Sequence, residues 1–500
     1  MWKVIPMMLS SKRSKKLLNE SEKIMTRRIS AKTITTMVLL FWLASCKIPE
    51  VVSRQENKSM PESFSDSQDT ANSASIKWRE YFSDPILIAL IDTALSNNQE
   101  LNITLQEIEI SKNEVMARKG EYMPFVSIGG GAGFEKEGRF TRHGAVDEAI
   151  EIKPGKRIPE VLPDFKLGLY ASWELDVWKK LRNAKKAAGL RYLSSIEGRN
   201  FMVTNLISEI AVSYYELMAL DNLLSILYQN IEFQDSAFQT IKKEKEAAKA
   251  SQLAVNRFEA QLLHTQNLEY EVRQKIVETE NRINFLTGRF HGKIPRNTSS
   301  FSTALSENIK VGLPSQLLVN RPDIHQAELE LEAAKLDTKI ARANFYPSIG
   351  LKSGIGLQSF NPVDLFKPES LLFNLAGDLV APLVNKNSIK ATYRNANAKQ
   401  IQAIYNFERT LLKADIEVVN QLTMLNNYSM SYETKMKEAD ILTQSIKISN
   451  SLFRSARADY IEVLTTQREA LESRIDLVEI KLKQLEAKVN IYRALGGGWN

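Results

Sequence analysis

Residues 383 to 495 contain neither proline nor glycine, and no proline occurs between Asp164 and Ile294. Proline breaks helix interiors and glycine loosens them, so both spans permit helices far longer than the dozen residues usual in a globular domain. Within the first span Leu471, Ile475, Val478, Leu482, Leu485, Val489 and Tyr492 recur at alternating steps of four and three, a heptad seam. Leu477 and Ile480 add apolar positions off that seam, which predicts neighbours on two sides. A helix of about 65 residues spans roughly 100 Å. Antiparallel pairs of that length make a rod or the wall of a tube. Turns are expected near Ala247–Ser251 and Ser451–Asp459, where the apolar spacing relaxes.

Four other segments alternate with period two. In Phe165–Val177 the apolar set is Phe165, Leu167, Leu169, Ala171, Trp173, Leu175 and Val177, interleaved with Lys166, Gly168, Ser172, Glu174 and Asp176. Ile349, Leu351, Ile355 and Leu357 form a second set, Phe373, Leu375, Leu379 and Ala381 a third, and the glycine-rich Phe125–Phe134 a fourth. Each has about the ten residues a tilted strand needs to cross an outer membrane. A soluble half-buried sheet would show the same period. Open strand edges are not tolerated in lipid and single-chain barrels need about eight strands, so four per chain require identical partners; three chains give twelve.

The N-terminus decides between these. Arg27, Arg28 and Lys32 precede an uncharged run from Thr33 to Ser45, long enough for a signal core and too short to span a bilayer. The run ends in Leu43-Ala44-Ser45-Cys46, a bacterial lipobox whose cysteine, the only one in the chain, would carry an N-acyl diacylglycerol. Lys47 follows where an aspartate would signal inner-membrane retention, so outer-membrane sorting is expected. Met25 would open a signal peptide of ordinary length, making Met1 to Ile24 an upstream over-extension. The chain's formal charge of +7 sits entirely in residues 1–46; the remainder is neutral, which excludes a nucleic-acid reading. Serine-rich residues 53–75 read as a flexible polar tether.

The chain runs through one plan twice. Asp84-Pro85-Ile86-Leu87 and Arg321-Pro322-Asp323-Ile324 each open a helical stretch leading to an aromatic–proline step, Tyr122-Met123-Pro124 and Phe345-Tyr346-Pro347, then to strands and long helices. The expected organisation is a signal peptide over 1–46, a tether over 47–77, repeat 1 over 78–288, and an equatorial linker over 289–312. Repeat 2 follows over 313–496, with a short tail at 497–500. Phe134–Asp164 would be a long extracellular loop.

Enzyme chemistry has no support. The glycines at 129, 131 and 133 form neither a dinucleotide nor a phosphate-binding fingerprint, and neither H-E-x-x-H nor G-x-S-x-G occurs. Four scattered histidines and one cysteine leave no metal centre, and the 13 methionines form no evident copper path.

Taken in order, several motifs carry a resemblance. They are Leu313-Pro314-Ser315-Gln316-Leu317-Leu318-Val319-Asn320-Arg321-Pro322-Asp323-Ile324 with Ala327-Glu328, Ala343-Asn344-Phe345-Tyr346-Pro347-Ser348, Trp173-Glu174-Leu175-Asp176-Val177-Trp178, and Ala494-Leu495-Gly496-Gly497-Gly498-Trp499. Over Trp78 to Trp499 the sequence resembles the TolC-like outer-membrane factor family of efflux systems, and within it the lipoprotein branch (OprM/NodT-like). The resemblance implies a mainly α chain with membrane β-strands: a homotrimer whose twelve-stranded β-barrel continues into a twelve-helix periplasmic tunnel. It implies passive export of small molecules, with an inner-membrane pump of RND type and a periplasmic adaptor as partners. A periplasmic adaptor lipoprotein and a structural coiled-coil lipoprotein are the alternatives; two copies with a strand pair each argue against both.

At the tunnel's periplasmic end the resemblance carries over in part. Ala456 and Ala248 stand where the family has glycine, Asp459 and Tyr460 are retained, Ala254 and Thr465 stand where acids occur, and Glu462 adds a carboxylate. Arg454, Arg457, Asp459, Tyr460, Glu462 and Thr465 are therefore the candidate gate, with the arginines expected to hold adjacent hairpins through salt links. The same charges on a plain solvated helix face would look alike in sequence. Trp173 and Trp178 fit either a membrane-interface belt or packing at the junction of barrel and tunnel.

Overall fold

The computed structural model describes residues 48–64, 70–305, 309–455 and 457–499. Cys46, with the signal peptide and lipobox, lies outside the described residues. The elements are α1 (Trp78–Tyr81), α2 (Pro85–Asn97), α3 (Gln99–Tyr122), β1 (Phe125–Glu135), α4 (Arg142–Ala149), β2 (Glu151–Lys153), β3 (Lys156–Arg157), β4 (Leu162–Leu175), α5 (Lys180–Glu246) and α6 (Gln252–Leu286). The second half supplies α7 (Leu317–Asn320), α8 (Pro322–Ala343), β5 (Ser348–Ser359), β6 (Leu371–Val380), α9 (Asn387–Arg454) and α10 (Tyr460–Ala494).

The proline-free spans become α5, of 67 residues, and α9, of 68, each about 100 Å long. Each return helix, α6 or α10, has only 35 residues. It covers the lower half of its long partner, while α3 or α8 covers the upper half from the other direction. One 18-residue window of α5 is apolar enough to cross a membrane, yet 61% of it is buried inside the chain. Ile207, Ile210, Tyr214, Leu217 and Met218 there pack against Leu87 and Ile91 of α2 and Leu485, Val489 and Tyr492 of α10. The predicted heptad seam thus closes the main core. A second core joins Ile324 and Leu331 of α8 to Ile404, Phe407, Leu411 and Val418 of α9.

The repeat is visible at its joints, which correct its anchor. Gly288 ends the first hairpin at φ +67, and a Cβ there would lie 2.5 Å from the Asn97 carbonyl oxygen; Gly496 ends the second at φ +92, 2.4 Å from that of Asn320. Asn98 donates to the Leu286 carbonyl (2.9 Å) as Arg321 donates to that of Ala494 (2.7 Å). The counterpart of Arg321 is therefore Asn98, not Asp84. Pro85 and Pro322 both suit a first helical turn, which made the two starts look alike in sequence. The long helices also start alike, after left-handed residues Lys179 and Asn385.

The N-terminal segment departs from the expected flexible tether. Arg54 pairs with Glu408 (2.7 Å), Glu56 with Lys335 (2.9 Å) and Lys58 with Glu328 (2.5 Å), while Ile48 and Val51 pack on Phe345 and Tyr393. Composition suggested a loose chain; ion pairs and two aliphatic anchors make it a strap along α8 and α9. The 134–164 segment is likewise no plain loop, since it folds into α4 and the β2–β3 hairpin.

Candidate functional site

The four long strands form one antiparallel sheet in the order β1-β4-β5-β6. Its register places Ile128 opposite Leu169, Leu169 opposite Ile355 and Ile355 opposite Phe373. All four are exposed, and Phe373 is 80% accessible, so one face is a bare apolar surface. The other face carries Lys166, Tyr170, Glu174, Lys352, Asn374 and Asp378, with an ion pair between Lys352 and Asp378 (2.7 Å). The Tyr170 ring occupies space left by Gly354, directly opposite, and by Gly129, diagonal to it: a Cβ on either would meet the ring at 3.2 Å, and one on Gly354 would also meet Asn374 Oδ1 at 2.5 Å. β1 and β6 each pair on one side only, so the sheet ends in two open edges.

Sheet and helices meet at a polar joint. Trp173 Nε1 donates to the Tyr122 carbonyl (3.1 Å), and Trp178 Nε1 donates to the Pro347 carbonyl (2.7 Å) while its ring stacks on Tyr346. Both indoles therefore sit where sheet and helices meet, and both stay exposed there. Asp176 accepts from the Leu181 (3.0 Å) and Arg182 (2.9 Å) N–H groups at the start of α5 and from Arg182 Nε (3.1 Å). Burial opposes ionisation of Asp176, but these donors outweigh it and hold its carboxyl below the usual range.

At the far end both hairpins turn where the sequence relaxes. The first turn runs through Ala248 at φ +56, with Lys249 N–H bonded to the Glu244 carbonyl (2.8 Å). Such left-handed caps favour glycine. In the second turn Arg457 N–H bonds the Leu452 carbonyl (2.9 Å), and Asp459 is extended before α10. Ala456 lies outside the described residues. The two turns are held together by Ile241, Ala254, Val255 and Phe258, against which Phe453, Tyr460 and Leu464 pack.

This sorts the sequence candidates. Tyr460 belongs to the apolar contact between hairpins. Arg454, Arg457, Asp459 and Glu462 are exposed and Thr465 is half-buried. Among the described residues neither arginine makes an ion pair, so the expected salt links do not form within one chain. Sequence reasoning placed the first turn but missed its charge, where Lys242, Lys243, Lys245 and Lys249 add exposed cations; the signal was the run Lys242-Lys243-Glu244-Lys245-Glu246 itself. It also missed Arg191, which joins α5 to Asp337 and Glu330 of α8. Glu330 and Asp337 sit half a helical turn round from Glu328 and Lys335, on the face away from the strap.

The sequence profile of the family described as outer membrane efflux protein matches residues 90–289 and 313–497. The chain belongs to this family. As an outer membrane efflux protein it has its seat in the outer membrane. It is 25% identical to the probable outer membrane lipoprotein SilC of Salmonella typhimurium, with 90% of this chain and 93% of SilC covered. It is 26% identical to the cation efflux system protein CusC of Escherichia coli, covering 88% and 93%. A toluene efflux pump outer membrane protein, TtgI of Pseudomonas putida, is also 26% identical, covering 85% and 88%. Two solved structures share the fold. CusC superposes with a TM-score of 0.78 at 24% identity over 90% of this chain and all of that one. The Neisseria gonorrhoeae MtrE outer membrane channel gives 0.77 at 22% identity over 91% and 98%.

Proposed function

We propose that three copies of this chain form a passive export conduit: a twelve-stranded barrel open to the exterior, continuous with a tunnel in the periplasm. The observation that carries this is the match of open edges. The sheet is free at β1 and β6, and the helix layer, in the order α3-α5-α8-α9, is free on the same two sides, so barrel and tunnel close by one rotation. The face away from the strap becomes the inner wall. There Arg191, Lys399 and Lys413 alternate with Glu330 and Asp337, a mixed-sign lining suited to cargo of either charge.

A passive wall needs a driven partner. An inner-membrane pump of RND type and a periplasmic adaptor meeting the exposed tips complete the reading, which assigns the chain no reaction of its own. The covalent group is the N-acyl diacylglycerol on Cys46. Ile48 packs at the sheet–helix junction, so a lipid two residues away, about 7 Å of chain, reaches the periplasmic leaflet beside the barrel.

The test uses the mature protein purified in detergent. A trimeric mass, step conductances in planar bilayers and an N-terminal mass bearing three acyl chains are expected. Monomeric material without conductance removes the conduit; an unmodified Cys46 removes the lipid alone.

A further inference from the structure

The conduit's lining is mixed in sign as a whole but uneven at one height. An open groove of about 960 Å³ runs between α8 and α9 on the face away from the strap. Its floor is apolar: Ala327 and Ala334 of α8 and Ala403 of α9 leave room that larger side chains would fill, and Phe201 of α5 lines it as well. On α9 the residues facing the groove recur in two rows at seven-residue steps, Lys399-Asn406-Lys413 and Gln402-Arg409, which helical geometry puts on one face. Every one of these side chains donates hydrogen bonds, and no carboxylate stands among them.

The acids of the opposite wall are already engaged. Arg191 of α5 pairs with Asp337 and reaches Glu330 (3.9 Å), and Asp323 is held by Arg321 (2.8 Å). Below the groove Glu417 serves Arg321 (3.1 Å) and Arg493 (2.5 Å). Lys399, Arg409 and Lys413 are exposed and, among the described residues, make no ion pair. The free charges of the groove are therefore all positive, and they stand beside an apolar floor. Arg409 lies about 6 Å from Lys413 and about 15 Å from Lys399 along the helix axis. Cations so spaced cannot all grip one small molecule. They offer successive weak sites, the arrangement that lets a solute enter and leave again.

We propose that this groove is a track for organic anions. Small molecules with an apolar body and a carboxylate, sulfonate or phosphate group pass from Lys413 and Arg409 up to Lys399, the apolar body lying against Phe201 and the alanines. This rests on the conduit reading, which supplies the tunnel, and adds the class of cargo that this stretch of wall retains. A cationic solute finds no free carboxylate in the groove and is not held there.

The test uses the full mature protein and a naphthalenetrisulfonate as probe. Millimolar probe is expected to interrupt the wild-type current in planar bilayers, and equilibrium dialysis against detergent-purified protein is expected to show it bound. Lys399→Gln combined with Lys413→Gln should raise the half-blocking and half-binding concentrations about tenfold, the effect of two exposed charge contacts at the upper end of their usual range. Lys399→Arg with Lys413→Arg should keep the wild-type values. Arg394→Gln controls for net charge: Arg394 lies eleven residues from Tyr405, which bonds Arg54 of the strap (2.7 Å), so it faces the other side of α9. Equal concentrations in wild type and in the double lysine-to-glutamine variant, no block and no binding in a conducting wild type, or an equal rise from Arg394→Gln overturns the track. Binding that the double variant loses, in a protein that never conducts, keeps the anion site and removes the conduit reading instead.

Discussion

Arg321 offers the sharpest test of how the two halves are joined. Its guanidinium is buried, 3% accessible, and every arm is used. Nε and one Nη bond Asp323 (2.9 and 2.8 Å), and the other Nη bonds Glu417 (3.1 Å) and the Ala494 carbonyl (2.7 Å). Glu417 is shared with Arg493 (2.5 Å). Burial alone would disfavour the charged guanidinium, but these carboxylates outweigh it and raise the Arg321 pKa further. Arg321→Met keeps much of the volume and removes the charge, leaving the half-buried Asp323 carboxylate and the Ala494 carbonyl short of donors. Breaking a buried pair costs about 3–5 kcal/mol, and because Arg493 still serves Glu417 the expected loss is at the low end, about 3 kcal/mol. Denaturant-induced loss of helical circular dichroism, at fixed protein concentration, measures it. A loss under about 1 kcal/mol, the value of an exposed pair, would show that Arg321 is not the linchpin of this joint. Arg321→Met with Asp323→Asn should lose less than the two single changes together, because Asp323 has its ion pair with Arg321 and the second change removes the stranded charge.

Three further outcomes follow from other parts of the molecule. Ala248→Gly should stabilise the first tip turn by about 1 kcal/mol, since a left-handed alanine is strained by roughly 1–2 kcal/mol and glycine gives some of that back as chain entropy; slower amide exchange at Ala247–Ser251 is the readout, and faster exchange refutes it. The folded Asp176 carboxyl titrates below its unfolded value of about 3.9, so its stabilisation is complete above that pH and is lost as pH falls through the folded value. Asp176→Asn should therefore lower the melting temperature near neutrality and flatten its decline on acidification; a parallel decline in both proteins counts against the assignment. Reversing Asp459 and Glu462 to lysine should shift the channel's permeability towards anions, whereas unchanged reversal potentials in planar bilayers would remove both from the pore.

The fold was legible wherever a single physical signal dominates. The absence of proline and glycine declares α5 and α9, strict alternation declares β4, and both survive because nothing local competes with them. The hairpin turns were legible for the inverse reason, as places where apolar spacing lapses. The repeat was legible in order but not in alignment. Pro85 and Pro322 mark helix starts equally well, and only the close approach of Gly288 to Asn97 and of Gly496 to Asn320 shows which starts correspond.

The strap shows the limit more clearly. Arg54, Glu56 and Lys58 lie in a polar, serine-rich segment whose composition is that of a disordered linker, and their partners Glu408, Lys335 and Glu328 are about 270 residues or more away in sequence. No local pattern encodes such a pairing. The salt links of the candidate gate meet the same limit: Arg454 and Arg457 are expected to pair with an adjacent hairpin, and a long-range ion pair is a property of where two helices end up. Within one chain those arginines face solvent. What the sequence of a single subunit records is the wall, residue by residue. What the wall encloses depends on contacts that only the assembled copies supply, which is why the unpaired charges and bare apolar stripes of the isolated chain carry more functional information than its satisfied core.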